Sequence, residues 1–440
     1  GFIDTAGNKD VKDAGNVISY LINNYPVDPA KIALGGTSYG SGISLNTATQ
    51  DDRVAAVIAT STWGSLVESL WPNQTPQKSW VNLLINTSQR PIGREDPEIA
   101  ENLQNMHDHK NVDATIEWGM ERSPINYIDQ VNAREHKPAI FVGNNLHDYL
   151  FHPNSIVKFL QAYQGPWHVD FSFGVHGAGE ASGLMGKEDS SYMWNNAFAW
   201  LDHYLKGESN YIDQVDKVTT MVKSTTGDMR DSFPSFPVND SVVTMYADPV
   251  AGQKGGELNT TGTINADSPV IDSEYDVVWT GGIVGAQQMS GHFYKLQDID
   301  DRGAIVFKSP VLTENMYLRG APFLKFSAYV KHNLQYFGYL LDYDPVTDIA
   351  YWVGHGPFTW HRPEGTTEDP TEPVDITMEM FWTAHDIAAG HQLILVVDGA
   401  DPDYFLYADS ATEHQFVIDS AHPMSVELPV INSRKVADSI

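Results

Sequence analysis

Apolar residues recur along this chain in two rhythms. In the first half, Val11, Ala14, Val17, Ile18, Leu21 and Ile22 return at helical spacing and predict an amphipathic helix that stops before Tyr25-Pro26. Short apolar runs follow at Lys31 to Leu34, closed by Gly35-Gly36, at Val54 to Ala59, at Ala139 to Val142 and at Val169 to Phe173. Helical stretches over about 39–48 and 156–163 separate some of them. Strands that alternate with helices predict a mostly parallel sheet covered on both faces. The stretch between residues 59 and 139 carries Trp63, Trp71, Trp80 and Trp118 but no convincing strand, and reads as a helical cap over 64–136.

Past Gly207 the rhythm changes. Val218 to Val222, Val242 to Tyr246, Phe323 to Val330, Tyr336 to Leu341, Ile376 to Trp382 and Gln392 to Val397 are strand-like, with Gly, Pro, Asn and Asp between them. No long amphipathic pattern appears after about residue 210. The second half is expected to be a β-sandwich of the jelly-roll kind.

Composition narrows the function. The 440 residues include 57 acidic and 27 basic side chains, a net charge of −30. So acidic a chain lacks the basic footprint that nucleic acid requires. No apolar run is long enough for a membrane-spanning helix. With no cysteine, disulfides, thiolate metal sites and a cysteine nucleophile are all excluded. The charge and the missing cysteines suit an exported protein, and the sequence does not set the number of subunits.

Gly36-Thr37-Ser38-Tyr39-Gly40 is a G-x-S-x-G pentapeptide. Two glycines at that spacing let a strand turn abruptly into a helix and hold the serine strained and exposed above the sheet. The pattern alone is weak, but here it follows an expected strand and opens an expected helix. A serine hydroxyl needs a base, and the base an acid to orient it, in the chain order Ser, acid, His. Asp148 lies just past the strand at 139–142. His176 lies just past the strand at 169–173, in Phe173-Gly174-Val175-His176-Gly177. Both stand where this topology puts them. The backbone N–H of Tyr39 should be one oxyanion donor. His107-Asp108-His109 would put alternate residues on different helix faces, so a solvated turn is expected there, with no metal or cofactor.

These residues resemble the X-Pro dipeptidyl-peptidase (S15) group and the cocaine-esterase-like CocE/NonD superfamily. The elbow has that group's tyrosine after the serine. The segment Gly143 to Phe151 resembles its acid loop, with Asn144 where an aromatic is common. Phe173 to Gly177 resembles its histidine loop, Trp200 to Gly207 its closing helix, and Ile387 to Leu393 a strand entrance of its jelly roll, with Gln392 where an arginine often stands. The resemblance implies an α/β-hydrolase domain over 1–210 with its cap at 64–136, and a jelly roll over 211–440. The group's second oxyanion donor, commonly a tyrosine on an early loop, has no counterpart. Residues before Lys31 leave room for one helix only, so that donor and the early strands are expected on a longer polypeptide upstream of Gly1.

The expected chemistry is serine acyl transfer, with Ser38 as nucleophile, His176 as base and Asp148 as its orienting acid. The substrate is a peptide or small molecule. Members of the group cleave after a penultimate proline, or hydrolyse amino-acid esters, amides or simple esters. Trp63, Trp71 and Trp80 are candidates for an apolar acyl or proline pocket, and Glu68, Glu117 and Glu121 for holding a substrate ammonium. A rival of another class is a non-catalytic protein whose jelly roll binds carbohydrate.

Overall fold

The computed structural model describes residues 3–88, 96–181, 191–223, 229–275, 293–363, 371–405 and 413–437. The predicted first helix is α1 (Asn8–Asn24), followed by β1 (Ile32–Thr37), α2 (Tyr39–Gln50) and β2 (Val54–Thr60). β1 runs on through its two glycines, because its parallel register with β2 continues to Thr37 opposite Thr60. The cap comprises α3 (Leu66–Leu70), α4 (Ser79–Ser88), α5 (Pro97–Asp108), α6 (Val112–Glu121) and α7 (Ile128–Asn132); positions 89–95 within it lie outside the described residues. Then come β3 (Ala139–Asn145), α8 (Pro153–Ala162), β4 (Trp167–Ser172), α9 (Tyr192–Leu201), β5 (Val218–Val222) and β6 (Met229–Phe233).

The first sheet has the order β1-β2-β3-β4-β5-β6. Its first five strands are parallel, and β6 closes it antiparallel to β5. Val218 to Val222 therefore belongs to this sheet. The sequence reading had put it with the second half, and 210/211 is not where the two sheets divide. A lone strand-like run does not reveal its partner, and β5 pairs with β4 from Val169↔Val218 onward. Residues of β2, β3 and β4 are buried on both faces, as continuous apolar strands under two helical layers must be. Leu45, Val57, Val142, Phe159 and Phe171 share one core, and Ile58, Phe141, Met193 and Trp200 the other.

The remaining strands form one almost wholly antiparallel sheet that folds over itself. Towards one end of its strand order lies the long hairpin of Leu334–Asp344 and Ile349–Trp360, with Gln392–Asp398 alongside. Successive residues face opposite sides of a strand. Tyr336 and Leu340 accordingly enter the inner core with Phe326, Leu395 and Val426, while Phe337, Tyr339 and Leu341 face a second cluster with Trp352 and Tyr404. That second face meets the first domain, where half-buried Tyr149 packs edge-on against His355. An ion network with Arg319 and Asp231 fully buried at its centre also ties the two halves. Arg319 binds Asp231 at 2.6 Å and Asp386 at 2.7 Å, and Arg434 reaches both carboxylates at 2.8 Å. Asp231 lies on β6, and Arg319 and Asp386 on the second sheet.

Candidate active site

Ser38 stands between the end of β1 and the start of α2 with φ 57° and ψ −123°. That backbone costs a residue with a side chain about 1 kcal/mol or more. Local bonds hold it there. Ser38 N–H donates to Thr60 O at 2.9 Å, and the N–H groups of Ser41 and Gly42 donate to Ser38 O. Of the two flanking glycines only Gly36 is required by space, since a Cβ there would lie 2.3 Å from the carbonyl carbon of Gly40, whereas a Cβ on Gly40 would meet no atom within 4 Å.

Asp148, fully buried, sits three residues past β3. Its Oδ1 accepts the N–H groups of Leu150 at 3.1 Å and Phe151 at 2.9 Å. Its Oδ2 is 2.8 Å from His176 Nδ1, and His176 Nε2 is 2.8 Å from Ser38 Oγ. With both carboxylate oxygens accepting, Nδ1 carries the hydrogen and Nε2 is left to accept from the serine hydroxyl. The imidazole is 13% exposed, enough for a substrate to reach it while its acid is sealed from water. Burial pulls the His176 pKa down, but the charge and hydrogen bond of Asp148, with a further charge at Glu180, outweigh it and leave it raised. The fold thus brings together all three residues that the sequence had marked.

Tyr39 is the first residue of α2, and the opening N–H groups of an α-helix have no partner within the helix. Its phenol points elsewhere. The hydroxyl donates to Asp10 and accepts Asp4 N–H at 3.2 Å, fastening the elbow to α1. Burial and the Asp10 carboxylate raise its pKa above the ordinary value.

The three tryptophans fare differently. Half-buried Trp80 sets its ring edge-on to His176 at 5.5 Å between centroids. Trp63 lies one layer back. It is buried, donates to Arg122 O at 2.9 Å and packs on Phe151, which itself meets His176 at 5.3 Å. Trp71 belongs to the interior of the cap with Leu66, Leu70 and Met106. Of the candidate carboxylates, Glu68 is bound by Lys158 at 2.6 Å, and Glu121 stands 3.6 Å from Arg122. His107 and His109 part as expected for neighbours on a helix end, one packing on Phe405 and the other on His361. Among the described residues, no group of three or more His, Asp or Glu side chains is placed to hold a metal.

Two features were not visible in the sequence. One is a polar cage of Ser61, Asn145 and Glu180 behind the histidine loop. The other is the seating of α4, which carries Trp80. Lys78 and Ser79 N–H groups donate to Asp403 O, Ser79 Oγ donates to Asp403 Oδ1 at 2.6 Å, and Phe405 N–H donates to Pro76 O. A turn of the second half, just past the strand Gln392–Asp398, thus holds the wall beside the histidine.

A family model of the X-Pro dipeptidyl-peptidase (S15 family) matches residues 1–178, and one of the X-Pro dipeptidyl-peptidase C-terminal non-catalytic domain matches residues 210–421. The chain belongs to the S15 (X-Pro dipeptidyl-peptidase) superfamily. It is a serine hydrolase of that superfamily, with an N-terminal α/β-hydrolase domain and a C-terminal β-rich domain. Solved structures agree in fold. A CocE/NonD family hydrolase from Staphylococcus aureus aligns with a TM-score of 0.75 at 14% identity, covering 98% of this chain and 78% of that one. An α-amino acid ester hydrolase aligns at 0.72 and 15% identity, covering 96% and 80%. An aminopeptidase from a marine sediment archaeon of the Thaumarchaeota aligns at 0.69 and 13%, covering 95% and 79%. No curated protein matches the sequence. Among the described residues, no helix is long and apolar enough to cross a membrane.

Proposed function

We propose that this hydrolase is a serine peptidase of the X-Pro dipeptidyl-peptidase kind, with Ser38, His176 and Asp148 as its triad. The observation that carries the reading is the unbroken chain from Ser38 Oγ through both imidazole nitrogens to a buried carboxylate, at 2.8 Å on each side. As Ser38 Oγ attacks the substrate carbonyl carbon, its proton passes to His176 Nε2. Asp148 holds the ring's orientation and stabilises the imidazolium. The carbonyl oxygen gains negative charge, which the Tyr39 N–H at the helix start stabilises. The tetrahedral adduct collapses, the carbon–nitrogen bond breaks, and the leaving amine takes the proton from Nε2. Water then attacks the acyl-enzyme, giving its proton to Nε2, which returns it to Ser38 as the acid departs.

Trp80 and Phe151 give the acyl side apolar walls beside the histidine, suited to a compact ring such as proline. The match of both halves to X-Pro dipeptidyl-peptidase models supports this substrate class. A panel of Xaa-Pro anilides, amino-acid esters and short-chain esters tests it. The expected result is a kcat/KM highest for Xaa-Pro anilides. A preference for amino-acid esters would instead make the protein an ester hydrolase or acylase with the same triad. Labelling of Ser38 by a fluorophosphonate, lost in Ser38→Ala, tests the nucleophile independently of substrate.

A further inference from the structure

Behind the histidine loop lies a cluster of polar side chains that touches none of the reacting atoms. Glu180 is fully buried, four residues beyond His176. Its Oε1 accepts the Ser61 hydroxyl at 2.6 Å, and its Oε2 accepts Asn145 Nδ2 at 3.2 Å. Ser61 Oγ in turn accepts Gly177 N–H at 2.9 Å and Asn145 Nδ2 at 3.1 Å, while Asn145 Oδ1 accepts Gly179 N–H at 3.0 Å. All of these bonds but the one between Asn145 and Ser61 end on the loop that carries His176 or on the carboxylate beneath it.

The cage is built at some cost. Ser61 takes φ 43°, a left-handed backbone, directly after β2, and this brings its buried hydroxyl to the loop. Gly177, next to the histidine, has φ 78°, which glycine adopts freely. A buried carboxylate without a cation is expensive unless hydrogen bonds satisfy it. Here two donors do so, and the nearest group that turns positive during acyl transfer is the His176 ring.

We infer that Glu180 is a positioning residue of the active site: through Ser61 and Asn145 it fixes the loop bearing His176, and it sets a second negative charge behind the imidazolium formed during acyl transfer. The inference rests on the triad reading above. Among the described residues, the charged groups acting on the ring are Asp148, from the loop after β3, and Glu180, from its own loop. Ser38, Phe151 and Trp80, which cover its other sides, are neutral. Glu180 itself is raised in pKa by burial, against its bonds to Ser61 and Asn145, with the Asp148 charge adding to the rise.

Glu180→Gln removes the charge and sets an amide donor against Asn145. Measured by fluorophosphonate labelling and by steady-state turnover, it should lower the labelling rate and kcat about tenfold, the kinetic equivalent of one charge-assisted hydrogen bond, with KM unchanged. The acid limb of its kcat/KM profile should move to lower pH, because the imidazole loses a charge that favours its protonated form. Ser61→Ala keeps the charge and should slow labelling with the limb in place. The paired variant Glu180→Gln/Asn145→Asp returns a carboxylate to the cage and should restore the limb and most of the rate. It decides the matter if Glu180→Gln alone does not fold. A wild-type rate and limb in Glu180→Gln, a slower rate with an unmoved limb, or a folded paired variant that stays slow would each overturn the inference. If Ser38→Ala still labels and turns over, the triad reading fails instead.

Discussion

Of the three buried histidine–aspartate constellations among the described residues, Asp148 with His176 in the first half and Asp342 with its two histidines in the second contrast most sharply, because only the former is arranged for catalysis. In the first half Asp148 meets His176 at 2.8 Å. In the second, Asp342 bridges two histidines, His385 at 2.9 Å and His391 at 2.7 Å. Distance does not separate them. Exposure does not separate them either, since His176 and His391 are 13% and 14% exposed, but His176 gives its other nitrogen to a strained serine hydroxyl. Asp342 instead uses both oxygens on two rings beneath the seam between the sheets. The electrostatics diverge accordingly. His176 is raised because Asp148 and Glu180 outweigh burial, whereas burial dominates at His385 and, helped by nearby Lys223, lowers it despite Asp342. An imidazole and a carboxylate in contact become a site only when a reactive group and a route for substrate complete them.

The largest expected effect comes from Ser38→Ala, which should reduce kcat about 10⁴-fold or more and abolish fluorophosphonate labelling. Asp342→Asn, the matching change in the second constellation, should leave kcat within about twofold. If it silenced the enzyme, the contrast drawn above would collapse. Asp148→Asn keeps the shape but favours the wrong ring tautomer, and should cost about 10³–10⁴-fold in kcat with little change in KM.

Next in size is a change in stability. Arg319→Met removes the buried guanidinium and leaves Asp231 and Asp386 to Arg434, and should destabilise the fold by about 3 kcal/mol, the low end for a broken buried pair, in urea unfolding. The fraction still folded should turn over normally, and a loss of kcat at full folding would show that the seam feeds the triad. Smaller still, Asp403→Ala removes the side-chain tie to Ser79 but keeps the two backbone ties, and should raise KM up to about fivefold through Trp80, with kcat nearly unchanged.

The mildest test is pH. His176 must be neutral to accept the serine proton, so its raised pKa should place the acid limb of kcat/KM above the ordinary histidine value of about 6.5. His414 is buried in the second half with its pKa lowered to about 4. Between about 6.5 and 4 the unfolded chain takes up a proton there that the folded chain refuses. Stability should therefore fall as pH falls through that window, and His414→Leu should flatten the fall. An acid limb tracking the unfolding curve instead would mean that activity reports stability and not His176.

Much of this was legible in the sequence because local rules fixed it. Apolar runs bounded by glycine announced β1 to β4, and the elbow's glycines announced the turn that strains Ser38. Chain order then selected Asp148 and His176. Pairing was not legible: β5 reads like any strand of the second half, and only its register with β4 assigns it. Among the tryptophans, no spacing rule tells Trp80, which reaches the histidine, from Trp71, which fills the cap, because that depends on how short helices are seated. Glu180 lies beyond an Ala-Gly stretch with no motif, and its meaning arises only where Ser61 and Asn145 converge on it.

The seating of α4 has a consequence in time. The nucleophile, the base and the acid have all been synthesised by residue 176, whereas Asp403, which fastens the segment before Trp80, follows more than two hundred residues later. At translation speeds of about 5–20 residues per second, roughly ten to forty-five seconds separate them on the ribosome. During that interval a nascent chain would carry the groups that cleave before the wall that selects, so maturation of specificity trails maturation of the nucleophile.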